Sequence, residues 1–219
     1  MPPDPLILAF DTSAAHCAAA LLSGDRVLGL EHQEMAKGQA EQLFPLLERL
    51  LAEAGLGWGD LSAIGVGIGP GNFTGIRISV ASARGLALSL GIPAVGVSML
   101  ESLAAGSKGP VLACLDARRN GVFVQPFDDG IPTGEAALVD LDSDLSAYAR
   151  HELRCVGTAA TMLALRLEVA VAEPAYPPAE GIARTASERW RQTTSRPAPL
   201  YLRPADAAPS RDSVPVRLS

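Results

Sequence analysis

Gly65-Val66-Gly67-Ile68-Gly69-Pro70-Gly71-Asn72-Phe73-Thr74-Gly75-Ile76-Arg77 is a glycine-dense turn between an apolar, strand-like run and a long helical pattern. Gly67, Gly69, Gly71 and Gly75 permit close backbone approach and positive φ, and the following helix aims its first N–H groups and positive dipole end at whatever fills the turn. The natural expectation is an anion site. The ATPase phosphate loop is excluded, because it needs a Lys after its last Gly and the only lysines are Lys37 and Lys108. A dinucleotide fingerprint also fits poorly: Pro70 and Gly71 fall where that motif requires helix packing, and no acidic residue follows about 20 positions on. The plainer reading is a tight strand-to-helix turn held by its glycines.

Working outward, Leu6 to Phe10 is an apolar run ending at Asp11-Thr12-Ser13, and Cys17 to Leu22 and Arg26 to His32 follow across the turn Ser23-Gly24-Asp25. This pattern predicts an antiparallel meander. From Gly38 to Ala54 the apolar residues recur at helical spacing and Gly55 supplies a stop. Ser62 to Gly67 then reads as a strand, Thr74 to Leu90 as a helix, Pro93 to Val97 as a strand and Ser98 to Ala105 as a helix. At Val111 to Asp116 the opening pattern returns: an apolar strand ends at Asp116, a polar turn follows to Gly121, and Val122 to Phe127 runs back. Asp11 and Asp116 hold matching places, as in an internally duplicated α/β chain. The rest is weaker in pattern, with a strand near Leu153 to Gly157, a helix from Thr158 and another from Gly181 to about Gln192. The predicted organisation is a first lobe at 1–108, a reduced second lobe at 109–203 and a tail at 204–219.

With 219 residues, 48% hydrophobic and 5% aromatic, the chain can bury a sizeable core. A net charge of −6 argues against binding nucleic acid unaided through phosphate neutralisation. Cys17, Cys114 and Cys155 are odd in number, far apart and set among apolar residues, which predicts buried free thiols. The start, Met1-Pro2-Pro3-Asp4-Pro5, has no basic region, and no run approaches the roughly 20 apolar residues of a membrane span, so a cytoplasmic protein is expected. His16, His32 and His151 never fall at ligand spacing and read as ordinary polar residues.

Two readings stay open for Asp11 and Asp116: ligands, together with Gly69 and Gly71, of a Mg²⁺ or nucleotide phosphate, or caps of the adjoining turns. Arg77, in the first turn of its helix where the dipole disfavours a cation, predicts a carboxylate or phosphate partner or a side chain reaching to solvent. At about 100° per residue, Ile76, Val80, Ala83 and Ala87 share one face of that helix while Ile78, Ser82, Gly85 and Ser89 lie opposite. The preceding helix has an apolar arc of about 160°, from Leu46 through Leu43 and Leu47 to Phe44, wider than a core needs. Leu43, Leu46, Leu50, Ile78, Ser82, Gly85 and Ser89 are therefore candidates for a partner interface, with burial under the second lobe as the alternative.

Taken together, Ile7 to Ser13, Gly67 to Ile78, Gly85-Leu86-Ala87 with Val95 to Ser98, Leu115 to Arg118 and Tyr201-Leu202-Arg203 resemble the TsaB (YeaZ) family, a partner subunit in bacterial synthesis of threonylcarbamoyladenosine on tRNA. The resemblance covers most of the chain and implies an actin and sugar-kinase type of fold, two ribonuclease-H-like lobes with the second one shortened. It further implies a cytoplasmic, noncatalytic subunit whose first two helices pack on a catalytic TsaD-type threonylcarbamoyltransferase. A TsaE-type ATPase would complete the complex, tRNA would be reached only through it, and a homodimer is expected when the chain is alone. The catalytic relative carries His-x-x-x-His after the strand that Val95-Gly96-Val97 matches; here Met99 and Leu103 stand in those places, so no metal is expected. No cofactor is expected for the chain by itself, and any nucleotide would sit at the shared interface. Gln39 departs from the family, where a His is common near the start of the first helix. The competing reading is an independent enzyme, ATP-binding and kinase-like or metallopeptidase-like.

Overall fold

A computed structural model of the protein describes residues 4–202, so the expected tail at 204–219 lies outside the described residues. The first sheet is built from β1 (Leu6–Asp11), β2 (His16–Ser23), β3 (Arg26–Glu34), β4 (Ala63–Gly67) and β5 (Ala94–Val97), with α1 (Gln39–Glu53), α2 (Phe73–Leu90) and α3 (Met99–Ala104) between and after them. Its order is β3-β2-β1-β4-β5: β1, β2 and β3 form the expected meander, while β4 runs parallel to β1 and β5 parallel to β4.

Side chains of β1 and β2 alternate between two cores. Leu6, Leu8, Phe10, Cys17, Ala19 and Leu21 pack under α1. Ile7, Ala9, Ala18, Ala20 and Leu22 face the other way. Burial on both faces is why these strands are continuous apolar runs rather than alternating ones.

The second sheet comprises β6 (Pro110–Asp116), β7 (Gly121–Asp128), β8 (Ile131–Pro132), β9 (Ala137–Asp140), β10 (Arg154–Val156) and β11 (Ala170–Ala172), with α4 (Ala160–Leu167) and then α5 (Pro178–Arg189). Its order is β11-β10-β6-β7-β8, and β9 also pairs with β7. The duplication is explicit in this topology. β6 and β7 are antiparallel and β10 and β11 add in parallel, as β1, β2, β4 and β5 do in the first sheet. The fold is therefore a duplicated, actin-like α/β architecture.

One face of the second sheet buries Leu112, Cys114, Val124 and Cys155 against Ala160 and Leu163 of α4. The other buries Val111, Ala113 and Val156 against Leu100 and Leu103 of α3. Helix α5 does not stay with the sheet that precedes it. Its Ala179, Ile182, Ala183 and Ala186 close the second core of the first sheet. It begins at Pro178, three residues before the expected Gly181, because Pro suits the first helical turn, where its missing N–H is not needed. Among the described residues, no helix is long and apolar enough to cross a membrane.

Candidate functional site

The glycine turn joins β4 to α2 against the end of β1. Asp11, Thr12 and Ser13 are all buried there. Asp11 Oδ2 accepts hydrogen bonds from the Ser13 N–H at 3.0 Å and the Ser13 hydroxyl at 2.9 Å, and pairs with His16 Nε2 at 2.8 Å. Its other oxygen, Oδ1, is buried without a partner. The Thr12 hydroxyl donates to the Gly75 carbonyl at 2.7 Å, and the Asn72 N–H to the Ser13 carbonyl at 2.6 Å.

This docking explains two of the glycines. A Cβ on Gly75 would lie 1.8 Å from the Thr12 carbonyl oxygen, and one on Gly71 would lie 2.4 Å from that of Ser13. The side chain of Asn72, the N-cap of α2, accepts from the N–H groups of Thr74 and Gly75. At this helix start the Thr74 and Gly75 N–H groups are thus taken up by the cap, and backbone of the 11–13 segment lies beside it, an arrangement that favours the plainer reading of a tight strand-to-helix turn. Gly69 adopts φ +93°, and the Gly69-Pro70 peptide is cis.

Asp116 occupies the equivalent strand end but a different environment. It is exposed, its Oδ1 accepts from the Arg118 N–H at 2.7 Å, and its own N–H donates to Thr158 Oγ1 at 3.0 Å. That is the turn-capping arrangement. Of the candidate cofactor residues, Asp116 caps its own turn and Gly71 lies against Ser13, whereas Asp11 keeps one buried oxygen, Oδ1, without a partner.

Arg77 is exposed, in line with the solvent-reaching alternative, and no carboxylate pairs with it among the described residues. Its guanidinium carbon lies 3.8 Å over the Phe73 ring, and its Nε donates to the Tyr201 hydroxyl at 3.1 Å. The Tyr201 ring stacks on Phe73 at 5.0 Å. A second hydrogen bond, from the Leu200 N–H to the Ile68 carbonyl at 2.8 Å, straps the segment before Tyr201 along the glycine turn. Sequence reasoning quoted Tyr201 and Arg77 without linking them, since 124 residues separate the pair.

The interface candidates divide. Leu43, Leu46 and Leu50 are buried in the chain's own first core, so they are corrected from partner contacts to core residues: α1 lies flat on the sheet and spends most of its wide arc there. What α1 leaves outward is Phe44, 39% exposed and 6.4 Å from the Trp58 ring. On α2, Ile76, Val80 and Ala83 are buried, and Ile78 is half-buried against the same core. Ser82 is half-buried, whereas Gly85 and Ser89 are exposed, and a Cβ on Gly85 would meet nothing within 4 Å. Ser82, Gly85 and Ser89 therefore form an open strip of small residues. Clefts of about 340 Å³ between the starts of α1 and α2, and about 360 Å³ beside the end of α2, flank it.

Met99 and Leu103, at the start of the helix after β5, are both buried among apolar side chains. Among the described residues no cluster of three or more His, Cys, Asp or Glu is arranged to hold a metal. His16 is less ordinary than its spacing suggested, because the hairpin from β1 to β2 brings it to Asp11, and the His32 ring lies 4.9 Å away. The cysteines are buried and free, as expected. Burial, assisted by the neighbouring Asp11 carboxylate, pushes the Cys17 thiol from 9.0 up to about 11.

A family model described as TsaD, tRNA N6-adenosine threonylcarbamoyltransferase, matches residues 27–139, about half of the chain. An uncharacterised protein of Mycobacterium bovis is 34% identical over 205 residues, covering 93% of this chain and 94% of that protein. The tRNA threonylcarbamoyladenosine biosynthesis protein TsaB of Bacillus subtilis is 40% identical over 120 residues, covering 53% of this chain and 52% of its own length. The match to that TsaB protein thus spans about half of each. Among solved structures, YeaZ from Pseudomonas aeruginosa superposes with a TM-score of 0.74 at 27% identity, covering 90% of this chain and all of that one.

Proposed function

The chain belongs to the TsaB (YeaZ) family, and from that premise we propose that it is a noncatalytic subunit of a tRNA threonylcarbamoyladenosine-synthesising complex. It pairs with a TsaD-type catalytic subunit and activates transfer of the threonylcarbamoyl group to the adenosine 3′ of the anticodon. A TsaE-type ATPase acts in the same complex, and tRNA is engaged only through the assembly. One observation carries the pairing: the open strip of Ser82, Gly85 and Ser89 on α2, where small side chains let a second helix approach to the usual interaxial distance of about 8 to 10 Å. Phe44 on α1 offers a further exposed aromatic side chain. In the absence of the partner the same strip would serve a homodimer.

The kinase-like alternative needs the glycine turn to cradle phosphate, yet Asn72 caps that helix start and the Thr12 and Ser13 backbone crowds it. The metallopeptidase-like alternative needs ligands where Met99 and Leu103 are buried. Any nucleotide would therefore sit at the interface rather than in this chain alone.

Reconstitution tests the proposal. Purified TsaD-type subunit, ATPase component, threonylcarbamoyl-adenylate source and unmodified tRNA should yield modified adenosine only when this chain is added. Robust ATP turnover by the isolated chain, abolished in Asp11→Ala, would overturn the subunit reading.

A further inference from the structure

The cleft of about 360 Å³ lies between the C-terminal half of α2, the approach to β5 and the segment 193–197. Its apolar part comes from Leu88, Ile92, Pro93 and Ala94, and Leu88 is 77% exposed. Arg84 and Arg196 also line it, both exposed. Among the described residues no carboxylate lines the cleft, and neither arginine has an ion-pair partner. The two guanidinium groups thus give one apolar cleft a local positive charge in a chain of net charge −6. The cleft is also continuous with the small-residue strip. Gly85 belongs to both, and at about 100° per residue Leu88 and Arg84 lie about 60° and 100° around the helix from it.

We propose that this cleft receives an acidic, apolar segment of the protein partner that packs on α2, an aliphatic or aromatic side chain entering beside Leu88 and a carboxylate held by Arg84 and Arg196. The inference rests on the pairing proposed above and adds its chemistry. Planar guanidinium groups suit carboxylates because they offer paired N–H donors in a fixed fork. Charges at the rim of an interface act chiefly on association rate and salt dependence, which gives the inference its own signature. A protein segment is favoured over a small anion because the cleft opens onto the strip that a partner helix would already cover.

The test is titration calorimetry of the full chain against its TsaD-type subunit at low and high NaCl, with Arg84→Glu and Arg196→Glu compared with the wild type. Each variant should melt like the wild type, bind at least about tenfold more weakly at low salt, and lose most of the salt dependence. Wild-type affinity and salt dependence in both variants would overturn the inference while leaving the α2 pairing intact. No complex with the wild-type chain would overturn the pairing and this inference with it. Saturable binding of inorganic phosphate by the isolated chain, lost in both variants, would assign the cleft to a small anion instead. A tenfold gain in partner affinity on deleting residues 203–219 would assign it to the chain's own C-terminal segment.

Discussion

Gly75 and Gly85 lie on the same helix and look interchangeable in the sequence, but their surroundings differ completely. A methyl group on Gly75 would meet the Thr12 carbonyl oxygen at 1.8 Å, whereas one on Gly85 would meet nothing within 4 Å. Gly75→Ala should cost about 3 kcal/mol or more, since the backbone it strikes cannot rotate away, and should lower Tm by about 6 °C or more. Gly85→Ala should leave the chain as stable or about 0.5 kcal/mol more so, because Ala restricts the unfolded chain and favours helix. Paired thermal melts check both. A second residue-scale prediction concerns Cys17. Its folded pKa, about 11, stands above the ordinary 9.0, so the neutral thiol is the form that folding favours. The associated stability is fully present below pH 9 and is lost as pH rises through 11. Denaturant midpoints of Cys17→Ala and wild type should therefore diverge less at pH 11 than at pH 8. Arg77 shows what residue-level reading misses: the dipole argument that it needs a partner was sound, but a tyrosine 124 residues away is not legible from spacing.

Helices α1 and α2 were both read as having surface to spare, and the structure separates them. The arc of α1 is wide because it packs on the meander and beside α2 together, burying Leu43, Leu46, Leu47, Leu50 and Leu51. Helical periodicity reports an apolar face without saying whose core it enters, so three of the seven interface candidates were core residues. The strip on α2 reads more directly, because Ser and Gly pointing outward have no core to enter. Leu46→Ala should accordingly cost about 2 to 5 kcal/mol in the isolated chain through the cavity it leaves, while Ser82→Leu should cost less than about 1 kcal/mol. Equal losses in urea unfolding would show that the α2 strip is internal. Strands β1, β4 and β6 were visible as apolar runs ending at Asp or Gly, β2 and β3 from the Ser23-Gly24-Asp25 turn between them, and β5 and β7 as apolar runs. By contrast β8, β9 and β11 are short and exposed or half-buried, whereas β5 and β10, equally short but mostly buried, were legible.

At the scale of the molecule, duplication was legible because both halves repeat one chemical sentence: apolar strand, Asp, polar turn, returning strand. The same repetition hid a difference, since Asp11 is buried and paired with His16 whereas Asp116 is exposed and caps a turn. The return of α5 to the first sheet was not legible either. Its apolar stripe of Ile182, Ala183 and Ala186 would suit either sheet, and only the tertiary fold decides between them. Among the described residues no element of this chain covers the outward sides of α1 and α2, which lie on the sheet face opposite α5, and the proposed function places the catalytic subunit there. The most direct measurement is calorimetric titration of the TsaD-type subunit with wild-type chain and with Gly85→Leu, accompanied by thermal melts of each. For Gly85→Leu an unchanged melt and an affinity at least tenfold weaker are expected, a loss of more than about 1.4 kcal/mol. An unchanged affinity together with a large loss of Tm would contradict the proposed pairing, because the strip would then belong to this chain's own core.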